Sequence, residues 1–532
     1  MTTPRDNATG ISSDLTRRRL MQIGGGGALA LSMGGLLSAC GSDSDSGGTS
    51  GGGTPTPGGT LRVGATSGGD TDSIDAQNSL TTVDFIRAGA LFEQLMIMDP
   101  KTGQPTPVLA ESVEPNKDAT EWTISLRSGV TFHDGKPFEA KDVLYSLKRI
   151  EKNEFPGLIN LGPIDLKASK AVDAQTVLLK FKSSYAILPD ALAGSFTIRM
   201  VPVGYDPKTP VGTGPFKYKS FSPGARSTFV RNENYWQEGK PYLDALTVIN
   251  FADETAQVNA LQAGQVDLID QLSYTSIAPV ESTGGKIMTS ETAAFVPMYM
   301  RTDKAPFSDV RVRQALRLSV NREEYNAQIF GGKGTIGNDI FGAIDPEYKE
   351  IPQREQDIEQ AKSLLKAAGQ SDLRISLYAA ATGPGAEAGA AVFATQAKEA
   401  GITVKVVKQP ATQYWAQSYA KVPFGLSFWN VSSYLVESGQ GVTKGAPYNE
   451  IQQTNAKWQG LYDEALKTVD TAARGELVKQ LMTFDHNQGG YIIPVNFPTI
   501  EGMSSKVNGV RQDLSGFPMN GSNGLQDIWI QS

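Results

Sequence analysis

Leu126-Arg127-Ser128-Gly129-Val130-Thr131-Phe132-His133-Asp134-Gly135-Lys136-Pro137-Phe138 runs almost directly into Ala140-Lys141-Asp142-Val143. The stretch reads as the end of a strand, a tight hairpin and the opening of a helix, with Asp134-Gly135 supplying the turn geometry. Working outward, Trp122-Thr123-Ile124-Ser125-Leu126 alternates so that Trp122, Ile124 and Leu126 share one face, and Thr176 to Phe181 alternates in the same way. Leu61 to Ala65 is a further short strand, followed by the Gly/Ser/Asp loop Thr66 to Asp72.

Helices interleave with these strands. Asp253 to Ala263 has helical spacing and stops at Gly264, after which Val266 to Ile269 reads as a strand. Val312, Ala315, Leu316, Ser319 and Val320 fall at i, i+3, i+4, i+7 and i+8, an apolar stripe with Arg311, Arg313 and Arg317 off it. Asn321 with Glu324, and Asp357 with Gln360, have capping-box spacing ahead of two further helices. The mixture is α/β throughout, without an internal repeat.

The N-terminus is built differently. Thr16-Arg17-Arg18-Arg19-Leu20-Met21 precedes a glycine-diluted apolar stretch that ends at Leu37-Ser38-Ala39-Cys40. A charged region, an apolar region and small residues, in that order, make a secretory signal. Arg17 and Arg18 resemble a twin-arginine export signal more than a general secretory one, and Leu-Ser-Ala-Cys resembles a bacterial lipobox, which makes Cys40 the lipidated mature N-terminus. Cys40 is the only cysteine, so no internal disulfide can form. From Gly41 to Gly59 no large apolar residue occurs, which marks a flexible tether with the folded part starting near Thr60.

The whole chain of 532 residues carries a formal charge of −7, and without residues 1 to 39 it has 45 basic and 54 acidic side chains, a charge of −9. Such a surface argues against nucleic acid as a partner. No later segment offers the roughly 18 uninterrupted apolar residues of a membrane helix.

Several stretches together resemble the family 5 extracellular solute-binding proteins, the peptide, nickel and oligosaccharide receptors of ATP-binding cassette importers. The opening stretch is the most specific, with Leu109-Ala110-Glu111-Ser112 and Trp122 ahead of it. Val211-Gly212-Thr213-Gly214-Pro215-Phe216, Asn232-Glu233-Asn234-Tyr235-Trp236, Ala305 to Leu316 and Tyr491-Ile492-Ile493-Pro494-Val495 follow in family order. Most of these positions read as scaffold, Gly212, Gly214 and Pro215 fixing a tight corner.

The resemblance implies a type II periplasmic-binding-protein fold, two lobes with a hinge plus an extra subdomain. Lobe one would gather residues 60–97, 205–300 and 497–532, the extra subdomain 98–204, and lobe two 301–496. Ligand binding would favour the closed form that the transporter recognises. It implies a monomeric receptor, lipid-anchored to the outer face of the cytoplasmic membrane, whose partners are a small-molecule ligand and the permease subunits of the importer, with no cofactor.

Many peptide receptors of this family carry Trp-x-x-Asp-Tyr in lobe two, where the aspartate meets the peptide's α-amino group. Here the run is Trp429-Asn430-Val431-Ser432-Ser433-Tyr434, and the aspartate is replaced by Ser432 or, with Tyr434 aligned, by Ser433. A serine cannot neutralise a buried ammonium, and Glu437 lies at a different spacing. Free peptides therefore become less expected as ligands. Trp429 and Tyr434 are candidate stacking platforms, or else core aromatics, while Asn430, Ser432 and Ser433 offer neutral hydrogen-bonding groups suited to sugars, amides or heterocycles. Ser67, Gly68, Gly69 and Asp70 occupy the place of a cleft loop in the family, where backbone N–H groups could meet a ligand. Arg301, where relatives often carry asparagine, could hold a carboxylate or phosphate, the alternative being a surface salt bridge.

Catalytic and metal readings fail. Gly48-Thr49-Ser50-Gly51-Gly52 matches a nucleophile elbow but lies in the tether, and Gly332 to Gly337 matches a dinucleotide loop but follows a helical segment. His133 and His486 are the only histidines and lie far apart, so no metal site is expected. An exported lipoprotein hydrolase, or a sensor or chaperone on the same fold, remains as the rival reading; a hydrolase would need a nucleophile, a base and an orienting acid in a credible setting.

Overall fold

The computed structural model describes residues 54–66 and 69–531. Arg17, Arg18 and Cys40, the Gly48 to Gly52 match, and Ser67 and Gly68 lie outside them. Among the described residues no helix is long and apolar enough to cross a membrane.

The described residues fall into two compact units, one made of Phe295–Ile329 and Ile336–Asn496, the other of the remaining described residues. The larger unit is built on a seven-stranded sheet in the order Lys286–Ser290, Thr499–Met503, Leu268–Ile269, Thr60–Thr66, Ala245–Phe251, Arg226–Arg231, Phe216–Ser222. Its strand Thr60–Thr66 pairs parallel with Ala245–Phe251 and with Leu268–Ile269. Leu61, Val63 and Ala65 point into a core shared with Val83, Ile86 and Leu91 of the helix Thr82–Leu91. On the other side Ile269 and Ile500 pack with Val258 and Leu261 of the helix Glu254–Gln262. A four-stranded sheet in the order Ala110–Pro115, Glu121–Leu126, Thr176–Lys180, Lys170–Ala171 belongs to the same unit, with Trp122, Ile124 and Leu126 buried on one face as the alternation predicts.

The hairpin forms where the sequence places it. Phe132 N–H donates to Lys136 O at 2.8 Å, Gly135 takes φ +85°, and the helix Ala140–Asn153 opens with a capping box between Glu139 and Asp142. The separate sequence blocks meet around it. Gly212 N–H donates to His133 Nδ1 at 3.2 Å, and the other ring nitrogen, Nε2, lies 3.0 Å from Gly214 O. Because Nδ1 accepts, the proton must sit on Nε2, so His133 is a neutral clamp; burial pushes its pKa down to about 4. Asn232 Nδ2 donates to the same Gly214 O at 3.1 Å. The glycines are required sterically, since a Cβ on Gly212 would lie 2.0 Å from Leu91 O.

The smaller unit carries a five-stranded sheet in the order Thr403–Lys408, Arg374–Ala379, Phe424–Leu426, Met298–Met300, Tyr491–Ile492. The apolar stripe Val312, Ala315, Leu316, Ser319 and Val320 is buried as expected, and burial extends beyond it. In the helix Val310–Leu318, Arg311 is exposed and pairs with Asp309, but Arg313 and Arg317 are buried. Arg313 donates to Gln488 O and Gly489 O, and Arg317 to His486 O, Tyr491 O and Gly489 O. These carbonyls lie at or just beyond the C-terminal end of the helix Thr471–Gln488, whose last carbonyls lack partners of their own and carry partial negative charge. The capping boxes are also only half made. Asn321 and Asp357 side chains accept from Glu324 N–H and Gln360 N–H, while the backbone N–H of Asn321 goes to Gln396 and that of Asp357 to Leu318 O.

Candidate functional site

The run Trp429 to Tyr434 leaves the strand Phe424–Leu426 and leads into the helix Tyr434–Gly441. Trp429 is fixed on its backbone by two bonds with Phe295, of 3.0 and 3.1 Å. Its indole Nε1–H donates to Glu450 Oε1 at 3.0 Å. The same oxygen accepts from Ser427 Oγ at 2.5 Å and Tyr419 Oη at 2.7 Å, whereas Glu450 Oε2 has no internal partner. Burial raises the Glu450 pKa to about 7 against these donors, which favour the charged form.

Tyr434 is fully buried and stacks on Phe341, with ring centroids 4.8 Å apart at 16°. Its hydroxyl donates to Asp485 at 2.6 Å and its backbone N–H to Asp345 at 2.6 Å. The hydroxyls of Ser432 and Ser433 have no internal partner, and Asn430 is exposed. Glu437 is buried with Oε1 unpartnered, and burial, with Asp345 and Glu450 nearby, holds its pKa well above the usual carboxylate range. Trp429, Asn430, Ser432, Ser433 and Tyr434 thus share one locality with Glu437 and Glu450.

Arg301 lies in the same unit, with its fork engaged by Asp303 at 2.9 and 2.6 Å and by Ala420 O at 3.2 Å. Gly69 and Asp70 belong to the other unit, in the short turn Gly69–Thr71. Beside that turn Arg87 is fully buried and bonded to Asp72, Asp84, Asn250 and Ser227, which anchors the start of the segment that follows. No signal in the sequence singles out Glu450, Asp485 or Tyr419. Tyr419 and Glu450 flank the run at a distance, Asp485 sits late in a long helix, and none carries a local pattern; Glu437 alone was visible as an acid near the run. Among the described residues no three His, Cys, Asp or Glu side chains are grouped to hold a metal.

Residues 104–440 match the family model for bacterial extracellular solute-binding proteins, family 5. The chain belongs to this family. A relative within reach of sequence comparison is the heme-binding protein A of Haemophilus influenzae, 28% identical over 462 residues, which cover 77% of this chain and 82% of the relative. The substrate-binding protein CtaP of Listeria monocytogenes superposes with a TM-score of 0.78 at 21% identity, covering 90% of this chain and all of CtaP. AgaA of A. tumefaciens R10, solved with agropinic acid, gives 0.72 at 25% identity over 89% of this chain and 99% of AgaA. This solute-binding protein has the type II periplasmic-binding-protein fold, as its sheets interleaved with helices and these neighbours agree.

Proposed function

We propose that the chain is an extracytoplasmic receptor that delivers a small polar ligand, peptide-like, sugar or conjugate, to an ATP-binding cassette importer. The observation that carries this reading is the family match across residues 104–440, which includes the whole run Trp429 to Tyr434. In this reading Trp429, Asn430, Ser432, Ser433 and Tyr434 form the ligand-facing run of lobe two, with Arg301 and the loop Ser67, Gly68, Gly69 and Asp70 as further contacts. The lobe boundaries given above, a monomeric state, and a Cys40 anchor on the outer face of the cytoplasmic membrane complete the proposal. In this reading the chemistry of the site is binding and release.

The test is a thermal-shift screen against sugars, short peptides, opine-like conjugates and metal chelates. A ligand at a hundred times its Kd adds about 2.7 kcal/mol of stability. Trp429→Ala should weaken the best ligand by removing an aromatic face worth on the order of 1 kcal/mol. Ser432→Asp sorts the ligand classes: it weakens a neutral ligand and strengthens one that presents an ammonium group.

A further inference from the structure

The larger unit contains a cavity of about 50 Å³ whose wall includes Glu93, Gln94, Tyr235, Gln237, Asn523 and Gln526. It has room for a few water molecules or one small polyatomic ion, and none for a sugar ring or a peptide. Three separate stretches build it. Glu93 and Gln94 follow the helix Thr82–Leu91, Tyr235 belongs to the block Asn232 to Trp236, and Asn523 and Gln526 come from the C-terminal segment. Glu93 is only 8% exposed. Tyr235 Oη donates to its Oε1 at 2.8 Å, and Trp236 Nε1–H is shared between both carboxylate oxygens at 3.0 Å, which leaves lone pairs on the carboxylate. Burial raises the Glu93 pKa to about 7 against these donors and Arg199.

The neighbours of Glu93 have acceptors in surplus. Gln94 Nε2 donates to Leu192 O at 3.2 Å and to Ser195 O at 2.9 Å, so both its N–H groups are spent. Its Oε1 accepts from Asn523 Nδ2 at 3.2 Å and keeps a lone pair. Tyr235 has spent its one proton on Glu93, and Asn523 retains a single N–H. Arg199 does not answer the carboxylate directly: it donates to Phe196 O, Phe92 O and Asn523 Oδ1 and makes no salt bridge with Glu93. Arg127 stacks 4.8 Å over Trp236 and donates to Val108 O at 2.8 Å, so its charge is engaged there. Gln237 and Gln526 are half-buried, and their side chains make no hydrogen bond among the described residues, so each can turn its oxygen to a ligand. A desolvated carboxylate set among acceptors calls for a ligand that brings protons and one positive charge.

We propose that the cavity beside Glu93 is a site for one small hydrogen-bonding cation, a guanidinium or ammonium head group, either free or at the tip of a basic side chain. Glu93 supplies the countercharge, Tyr235 Oη and Gln94 Oε1 accept further N–H groups, and Gln237 and Gln526 close over the ligand from the half-buried rim. The site lies in the larger unit, whereas the run Trp429 to Tyr434 belongs to the smaller one. The proposal therefore goes beyond the receptor reading and does not depend on it.

The experiment uses the full chain labelled with 5-fluorotryptophan. Its six tryptophans give six fluorine signals, and Trp236→Phe assigns the one that reports on Glu93. Guanidinium chloride and methylammonium chloride are titrated at millimolar concentration against urea and methanol, their neutral matches, and against potassium chloride. N-acetylarginine methylamide presents the same head group on a side chain. The expected result is saturable movement of the Trp236 signal with at least one organic cation and not with its neutral match, and an affinity lowered about fivefold or more by Glu93→Gln. Gln237→Leu and Gln526→Leu should keep the melting temperature and weaken binding about twofold to threefold. Binding of N-acetylarginine methylamide upholds the site as one for a basic side chain, and its failure beside binding of guanidinium upholds it as one for a free cation. No saturable movement with either organic cation, equal movement with urea or methanol, or movement with potassium chloride alone overturns the inference. Where Glu93→Gln does not fold, affinity unchanged in both glutamine variants overturns it as well. The receptor reading stands in each case.

Discussion

Trp429 donates its indole N–H to Glu450 Oε1 at 3.0 Å, which ties the run Trp429 to Tyr434 to a carboxylate 21 residues further along the chain. Ser427 and Tyr419 close on the same oxygen. Glu450→Ala should strand three buried donors and destabilise the protein by about 3 kcal/mol. Glu450→Gln keeps one acceptor oxygen and should lose less. Urea denaturation followed by tryptophan fluorescence checks both, and equal losses would show that the acceptor is not what holds the cluster.

His133 joins the hairpin to the Gly212–Gly214 corner as a neutral ring. Its folded pKa of about 4 lies below the ordinary 6.5, so the unfolded chain binds the proton first. Its contribution is therefore complete above about pH 6.5 and is lost as pH falls toward 4. His133→Ala should cost about 2 kcal/mol at pH 7.5, by leaving Gly212 N–H and Gly214 O short of partners, and should remove this part of the acid sensitivity. Denaturation curves between pH 4 and 8 measure it.

Glu501 behaves with the opposite sign. It is buried beside Asp270 and Asp513, and burial raises its pKa to about 8 and that of Asp270 to about 7. A carboxyl whose folded pKa is raised stabilises below its unfolded value, near 4.5, and loses that contribution as pH rises through 8. Stability should therefore decline from pH 5 to pH 9. Glu501→Gln, which retains an oxygen for the Met519 N–H at 2.7 Å, should flatten the decline. A slope unchanged in the variant would assign it to other groups.

Arg317 is fully buried and donates to His486 O and Tyr491 O at 3.0 and 2.8 Å, and to Gly489 O. Arg317→Leu fills similar space but leaves helix-end carbonyls unpaired, so a loss of about 3 kcal/mol is expected. Arg317→Lys has one ammonium for three diverging acceptors and should recover only part of it. Hydrogen exchange around residues 486–491 reads the effect locally.

Export and anchoring are tested on the cell. In the proposed anchoring the lipid is attached through the Cys40 thiol, so Cys40→Ser should leave the protein unacylated and no longer retained on membranes after a carbonate wash; equal retention of the variant would reject the anchor. Replacing Arg17 and Arg18 by lysine should block export if the twin-arginine route is used. Unchanged export would point to general secretion.

Features that repeat within one element or one turn were legible in the order of residues. Alternation put Trp122, Ile124 and Leu126 on a buried face, Asp134-Gly135 set the hairpin, and Asn321 and Asp357 marked helix starts, because each signal depends only on neighbours a few residues away. The family was legible for the same reason, since its blocks are local scaffold motifs. The burial of Arg313 and Arg317 emerges only on folding, because the carbonyls that receive them lie about 170 residues away at the end of another helix. Folding likewise decided the tautomer of His133 and the company of Glu437 and Glu450. Protonation and burial are set by desolvation and by groups gathered from distant segments, and periodicity along one element carries no record of either.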